Sequence, residues 1–321
     1  MSADPTRTDA AIALPEPRSN RPITLAHRIE YAAVITLGAV FRVIGVDASS
    51  AIAGRFTRTV GPLLKSISNR ARTNLKIAFP EWGDEEISAT IRDVWENLGR
   101  TSAEFAHLAA FASGAQRRRV TIVGAEKLNA IRDAGTPVIF VSGHFANWEV
   151  MSIALHATGI DYLTVYRAAN NPLVDGLIIR ERAKVMSRRL APKGKRGGRD
   201  IIDAIKAGAS IAMLVDQKLT SGGLASPFFG KNAMTAPAAA RLSLKFGAPI
   251  VPVSAERLHG AHFRLKVHDE VRYEPSGDTI ADTQHLTDKI NLELEKMIRN
   301  APGQWLWLHR RWPKDIYTRE D

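Results

Sequence analysis

Cysteine is absent from the chain. That removes disulfides, thiolate metal sites and cysteine nucleophiles, and it fits a reducing compartment. A long uninterrupted apolar run is missing too. A spanning helix needs about 20 apolar residues, and the stretch Tyr31 to Val46 is broken by Thr36 and, near its end, by Arg42. Neither nucleotide fingerprint, Gly-x-Gly-x-x-Gly or Gly-Lys-Ser/Thr, occurs. Acidic residues are the scarcer charge, 33 against 44 basic ones, for a net charge of +11. This favours an anionic partner: nucleic acid, an anionic membrane, or an acidic carrier or substrate. What is present is ordinary for a globular protein, 45% apolar and 24% charged residues. The 321 residues are enough for one large or two ordinary domains around a sizeable core.

The chain is organised around residues 137 to 150, Pro-Val-Ile-Phe-Val-Ser-Gly-His-Phe-Ala-Asn-Trp-Glu-Val. Pro137 to Val141 is a short apolar run behind the turn signal Asp133-Ala134-Gly135-Thr136, which predicts a buried strand. From Asn147 a helical pattern takes over through Val150, Ile153, Ala154 and Ala157. His144 and Glu149 therefore sit where a strand turns into a helix. On one straight helix they would point about 140° apart, so they meet only if His144 lies in the turn and Glu149 in the first helical turn. An imidazole backed by a carboxylate keeps one tautomer, and its free nitrogen can accept a proton. A satisfied structural histidine at a helix start is the plain alternative.

Residues 1 to 22 are polar and carry four prolines, which predicts a disordered tail without the order of a signal peptide. Tyr31 to Val46, flanked by Arg28, Arg42, Arg55 and Arg58, reads as an interfacial or re-entrant anchor more than a clean span. An ordinary buried helix is the alternative. Arg70 to Pro80 is a basic amphipathic helix stopped at Pro80. Asp84 is expected to cap a long helix running past Leu98, with Glu104 on its solvated side. Gln116 to Arg119 is a basic loop ahead of a strand, Val120 to Val123. Tyr162 to Tyr166, Ser210 to Val215 and Pro249 to Ala255 are further strands, with helices between them. Phe263 to Val267 with Glu270 to Tyr273 is expected to be an antiparallel edge pair. Lys193 to Arg199 is a Gly-rich basic loop, either a phosphate cradle or simply solvated. Gly222-Gly223 and Pro227-Phe228-Phe229-Gly230 also read as loop. Strands alternating with helices predict an α/β layer fold.

These blocks resemble the secondary (late) acyltransferases of lipid A biosynthesis, the lauroyl/myristoyl transferase family. The likeness rests on Arg70 to Pro80, Gly-His-Phe-x-Asn-Trp-Glu around His144, Val165-Tyr166-Arg167 and Asn171-Pro172. It continues through Asp216-Gln217, Pro227 to Gly230 and the terminal Trp-Leu-Trp-Leu-His-Arg-Arg-Trp, all in family order from about residue 25 to 313. The resemblance implies a mixed central sheet flanked by helices, like that of glycerolipid acyltransferases, with an N-terminal membrane-anchoring helix. Its implied organisation is a tail over 1–22, a membrane-associated helical segment over 23–60 and the acyltransferase domain over 61–321. The implied donor is an acyl carrier protein thioester, with no cofactor or metal. The implied acceptor is a hydroxyl on a 3-hydroxyacyl chain of the Kdo-bearing lipid A precursor, at the cytoplasmic face of the inner membrane.

Residue chemistry agrees with that activity. His144 would be the general base and Glu149 the group that holds its tautomer. Backbone N–H groups near Gly143 and the Arg167 side chain are the candidate donors to the tetrahedral oxyanion. Asp216 would orient Arg167 or His144, or merely cap a turn. Asn147, Arg241, Arg310 and Arg311 are the candidate substrate-binding residues. Arg310-Arg311, between Trp307 and Trp312, would sit at headgroup level or belong to a structural clasp. Two other readings compete: an acyltransferase of the same superfamily with another lipid acceptor, and a basic surface-binding protein without catalysis. The absence of a nucleic-acid motif argues against nucleic acid as the partner.

Overall fold

Four consecutive buried residues, Ile139–Ser142, form β2, the middle strand of a seven-stranded sheet. A computed structural model describes residues 22–112, 119–219 and 221–317. The polar tail expected over 1–22 lies outside these residues except for Pro22, and so does the basic loop from Gln116 except for Arg119. The sheet runs β1 (Val120–Val123), β9 (His262–Val267), β8 (Ile250–His259), β2, β5 (Ser210–Leu214), β3 (Tyr162–Tyr166) and β4 (Leu190–Pro192). All its pairings are parallel except β8 with β9. The expected fold, a mixed sheet flanked by helices, is what forms. One expected strand does not: Glu270 to Tyr273 has no strand pairing, and β9 pairs with β8 and β1 instead.

Because side chains alternate across a strand, β2 feeds two cores. Ile139 and Val141 join one cluster with Leu163, Ile211, Met213 and Leu286. Phe140 joins the other with Val150, Ile153, Tyr162, Ala212 and Val253. The helices, in chain order, are α1 (Leu25–Ile44), α2 (Val46–Val60), α3 (Lys65–Ala78), α4 (Asp84–Glu104), α5 (Leu108–Ala112) and α6 (Ala125–Ala134). They continue with α7 (Glu149–Ala157), α8 (Pro172–Arg182), α9 (Lys195–Lys206), α10 (Ala238–Phe246) and α11 (Thr279–Asn300). Gly83, not Asp84, is the N-cap of α4; Asp84 is its first residue and pairs with Arg72 instead.

Three segments differ from their sequence reading in ways that matter for the site. The basic Gly-rich stretch is helical, not a loop, with Gly194 as N-cap of α9. A Cβ at Gly197 would lie 1.7 Å from the Pro192 carbonyl oxygen, so the glycine lets α9 start tight against the end of β4. Residues 224–235 are a hairpin, β6 (Leu224–Phe228) and β7 (Lys231–Thr235). Phe229 (φ 50°) and Gly230 (φ 73°) form its turn, the positive-φ pair of a two-residue hairpin loop. The terminal tryptophans lie inside the protein. Trp305, Trp307 and Trp312 are buried, and the Trp312 indole donates to the Phe228 carbonyl at 3.2 Å. The C-terminal segment is a structural clasp, and the headgroup alternative for these tryptophans fails.

The N-terminal helices present apolar side chains to solvent. No residue of α1 is buried, and Leu25, Ile29, Leu37, Val40 and Val43 are exposed. Among the described residues, no helix is long and apolar enough to cross a membrane. α2 packs tightly on α4: a Cβ at Gly99 would meet Thr57 Oγ1 at 2.0 Å and the Ala53 carbonyl oxygen at 2.5 Å. Its other side leaves Ile52 and Phe56 exposed, and Leu63 and Leu64 continue that surface.

Candidate active site

The parallel register by itself assembles the site. Ser142 of β2 stands opposite Leu214 of β5, so His144 and Asp216 each lie two residues beyond a matched pair. Val165 stands opposite Met213, and Tyr166 of β3 opposite Pro192 of β4. Arg167 and Lys193 are therefore the next residues of their strands. Four neighbouring strands thus deliver His144, Asp216-Gln217, Arg167 and Lys193 to one carboxyl edge, where α/β sheets bind ligands.

His144 Nδ1 lies 2.8 Å from Asp216 Oδ1. The His144 backbone N–H donates to Asp216 Oδ2 at 2.7 Å and the Trp305 indole donates to the same oxygen at 2.8 Å. Since an ionised carboxylate only accepts, Nδ1 carries a proton, and in the neutral ring Nε2 is the acceptor. Burial raises the Asp216 carboxyl, but the positive charge of the His144 ring when protonated, the two His144 hydrogen bonds and the Trp305 indole outweigh burial and hold it well below the usual carboxylate range. The Trp148 ring meets the imidazole in a T-shaped contact, with centroids 5.1 Å apart, and His309 lies 6.3 Å away on the same measure.

Glu149 occupies the position foreseen for it, the first residue of α7, yet it is not the group behind His144. Its carboxylate takes a two-pronged ion pair from Arg182, Nε at 2.9 Å and Nη2 at 2.5 Å, and a bond from the Trp148 indole at 3.1 Å. A buried carboxylate is held better by a full guanidinium charge than by a neutral ring. The place next to Nδ1 goes to Asp216.

The elbow between β2 and α7 is held from behind. Ala146 has φ 45°, a left-handed conformation costing about 1–2 kcal/mol for an L residue. Its carbonyl accepts from Asn97 Nδ2 (3.0 Å) and Thr101 Oγ1 (2.9 Å), and its N–H donates to the Gln304 carbonyl (2.8 Å). Glu104, expected to be solvated, is fully buried. It accepts from Arg257, from Ser50 Oγ at 2.7 Å and from Asn147 Nδ2 at 2.9 Å.

Of the other expected site residues, only Arg167 lines the His144 cleft. Asn147 is fully buried and serves the elbow. Arg241 borders a different surface cavity, with Leu244, Ile280 and Asp282. Arg311 is buried, donating to the Met234 carbonyl, Thr235 Oγ1 and Asn291 Oδ1, and stacking over Phe228. Burial pulls its guanidinium down to about 10. Arg310 is exposed and lies over the Tyr317 ring. The substrate-binding role expected for Asn147 and Arg311 does not fit side chains enclosed by protein. Sequence reading singled out neither Trp305 nor Lys193 for the site; the only available signal was their place beside a strand end or inside the terminal motif.

From His144 the cleft runs inward between α7 and the sheet, with about 920 Å³ of empty space including its open mouth. Arg167, Lys193, Gln217 and the Glu149–Arg182 pair supply much of its polar lining, and Phe140, Met151, Leu155, Met186, Ala212 and Val253 its apolar lining. Among the described residues, no group of three His, Asp or Glu side chains converges to hold a metal. An imidazole backed by a carboxylate, at the head of a cleft with an apolar lining, suits proton abstraction from a hydroxyl beside a bound acyl chain.

Comparison with known proteins agrees. Residues 20–314 match the family model of the bacterial lipid A biosynthesis acyltransferase. The chain is 27% identical to the lipid A biosynthesis palmitoleoyltransferase of Escherichia coli (strain K12) over 253 residues, 78% of this chain and 80% of that one. It is 27% identical to the myristoyltransferase of the same organism over 280 residues, 84% of each, and 25% identical to its lauroyltransferase over 256 residues, 77% and 80%. With nearly its whole described length matched, the chain belongs to the bacterial lipid A biosynthesis acyltransferase family, and it is an acyltransferase.

Proposed function

We propose that the protein transfers an acyl chain from an acyl carrier protein thioester to a hydroxyl of a 3-hydroxyacyl chain on the Kdo-bearing lipid A precursor, at the cytoplasmic face of the inner membrane. The observation that carries this is the Asp216–His144 pair, with Nε2 available at the head of an apolar cleft. His144 Nε2 takes the hydroxyl proton as the oxygen attacks the thioester carbon. Asp216 keeps the proton on Nδ1 and stabilises the imidazolium. The tetrahedral intermediate collapses with cleavage of the C–S bond, and the imidazolium returns the proton to the leaving thiolate. No cofactor enters this scheme. The net charge of +11 supports an acidic carrier and a phosphorylated acceptor as partners.

The direct test offers the purified protein an acyl carrier protein thioester with either the Kdo-bearing precursor or a glycerophospholipid, and weighs the products by mass spectrometry. One added acyl ester on the precursor is expected, and none with His144→Ala. Transfer to the glycerophospholipid alone would overturn the acceptor assignment.

The same reading places α1 and the exposed side of α2 in the membrane interface, lying in the plane instead of crossing it. Leu25, Val43, Phe56 and Leu63 are 63–87% exposed, and Arg28 and Arg55 beside them are exposed too, suited to anionic headgroups. Replacing Val43, Phe56 and Leu63 by Glu is expected to move the protein from floating with anionic liposomes to the soluble fraction, with unchanged melting. Flotation equal to that of the unaltered protein would sink the idea.

A further inference from the structure

Four backbone donors of the elbow are spent inside the protein. The His144 N–H goes to Asp216 Oδ2, the Phe145 N–H to the Gly143 carbonyl (2.9 Å), the Ala146 N–H to the Gln304 carbonyl, and the Glu149 N–H to Asn147 Oδ1 (3.2 Å). These are the groups a strand-to-helix elbow would ordinarily offer to an oxyanion. The negative charge that forms on a thioester oxygen under attack still needs donors. Side chains at the neighbouring strand ends, which line the cleft, are a further source.

Gln217 is placed for that task. Its amide nitrogen lies 3.5 Å from His144 Nε2, and its Oε1 lies 3.4 Å from Lys193 Nζ. Both distances are at the loose limit for hydrogen bonds, as is common in a site that tightens only around substrate. The two neighbours demand the same amide orientation. An ammonium has donors only, so the amide oxygen faces Lys193. His144 Nε2 is an acceptor, so the amide NH₂ faces it. An amide has two N–H groups, which leaves the second for the cleft that Gln217 and Lys193 both line.

We propose that Gln217, oriented by Lys193, is a catalytic residue of the acyl transfer and supplies an oxyanion donor. The proposal rests on the reading of His144 as the base. When the acceptor oxygen bonds to the thioester carbon, the carbonyl π electrons move onto its oxygen, and the Gln217 N–H donates to that oxygen. Collapse returns those electrons, breaks the C–S bond and passes the proton from His144 to sulfur. Lys193 touches Gln217 through its carbonyl end, so it polarises the amide and fixes its direction; it is a positioning residue.

The test uses the full-length protein in mixed micelles, with an acyl carrier protein thioester and the lipid A precursor. Loss of one oxyanion donor costs about 10²- to 10³-fold in kcat, and Gln217→Leu is expected to show a loss of that size. KM values for both substrates and the melting temperature should stay near those of the unaltered protein. Lys193→Met should lower kcat less, Lys193→Arg should restore most of that loss, and the Lys193→Met/Gln217→Leu pair should be little worse than Gln217→Leu alone. Gln217→Glu, similar in shape but unable to donate, guards against a packing defect in the Leu variant and should lose as much. Inactive His144→Ala together with near-normal kcat in Gln217→Leu and Gln217→Glu would overturn this inference alone. Activity retained in His144→Ala would overturn the base assignment beneath it.

Discussion

Asp216→Asn is expected to lower kcat by about 10⁴-fold, as loss of the carboxylate does in a comparable base–carboxylate pair. The asparagine carbonyl can still accept from the His144 N–H and the Trp305 indole, which converge on Oδ2. Its NH₂ then faces Nδ1, so Nδ1 must accept, the ring proton moves to Nε2, and the base is blocked. The fold should survive because those two bonds remain. His144→Ala should be as severe, and the double variant little worse than either, because both remove one proton-accepting unit. Glu149→Gln should act differently: it weakens the pair with Arg182 and lowers the melting temperature without changing the imidazole tautomer. Acyl-transfer kinetics with thermal melts of all four variants check this. A tautomer effect in Glu149→Gln, read by nitrogen NMR of His144, would restore Glu149 to the role expected from sequence.

The same residue carries a pH signature. The folded Asp216 carboxyl is depressed below the usual carboxylate value of 3.8. Its contribution to stability is therefore present above the unfolded value and is lost as pH falls from about 4 through the folded value. The gap in melting temperature between the unaltered protein and Asp216→Asn should be constant near neutral pH and narrow below about pH 4. A gap that widens in acid would contradict the depressed pKa.

Arg257→Ala should give the largest loss of stability. Glu104 has no exposed side-chain surface, and among the described residues Arg257 is the cation paired with it. Removing one partner of a buried pair costs about 3–5 kcal/mol, because it leaves the other charge buried and uncompensated. At about 2.1 cal/mol/K of unfolding entropy per residue, a chain of this length shifts by about 1.5 °C per kcal/mol, so the melting temperature should fall by roughly 4–8 °C. Activity should fall with it, since Arg257 also holds Asn97 (3.0 Å), and Asn97 holds the left-handed Ala146 beside His144. The double variant Glu104→Gln/Arg257→Met should recover part of the stability, because no lone charge remains. Melting within about 1 °C of the unaltered protein, less than about 1 kcal/mol, would show that water reaches the pair.

The α/β class, the strands β1, β2, β3 and β5, the elbow and the histidine at its tip were legible in the sequence. Each depends on local patterning: β-branched runs, turn residues, the switch from strand to helix period. The β6/β7 hairpin was not, because its turn is Phe229-Gly230, without the Asn-Gly or Asp-Gly signal. Nor was the short strand β4 or the helical start at Lys195, where two glycines argue for a loop but Gly197 serves close packing against Pro192.

By itself the sequence determined that a histidine would stand at a strand end in a basic, cysteine-free chain, because these properties belong to single residues and their neighbours. Which carboxylate stands behind that histidine was decided only by tertiary structure. Glu149 is five residues away in sequence and Asp216 is 72. Parallel register carries Asp216 to Nδ1, while Arg182, approaching from α8, draws Glu149 away. Long-range pairing sets partners that spacing along the chain cannot, because a charge goes to the partner that best offsets its desolvation, wherever the chain supplies it.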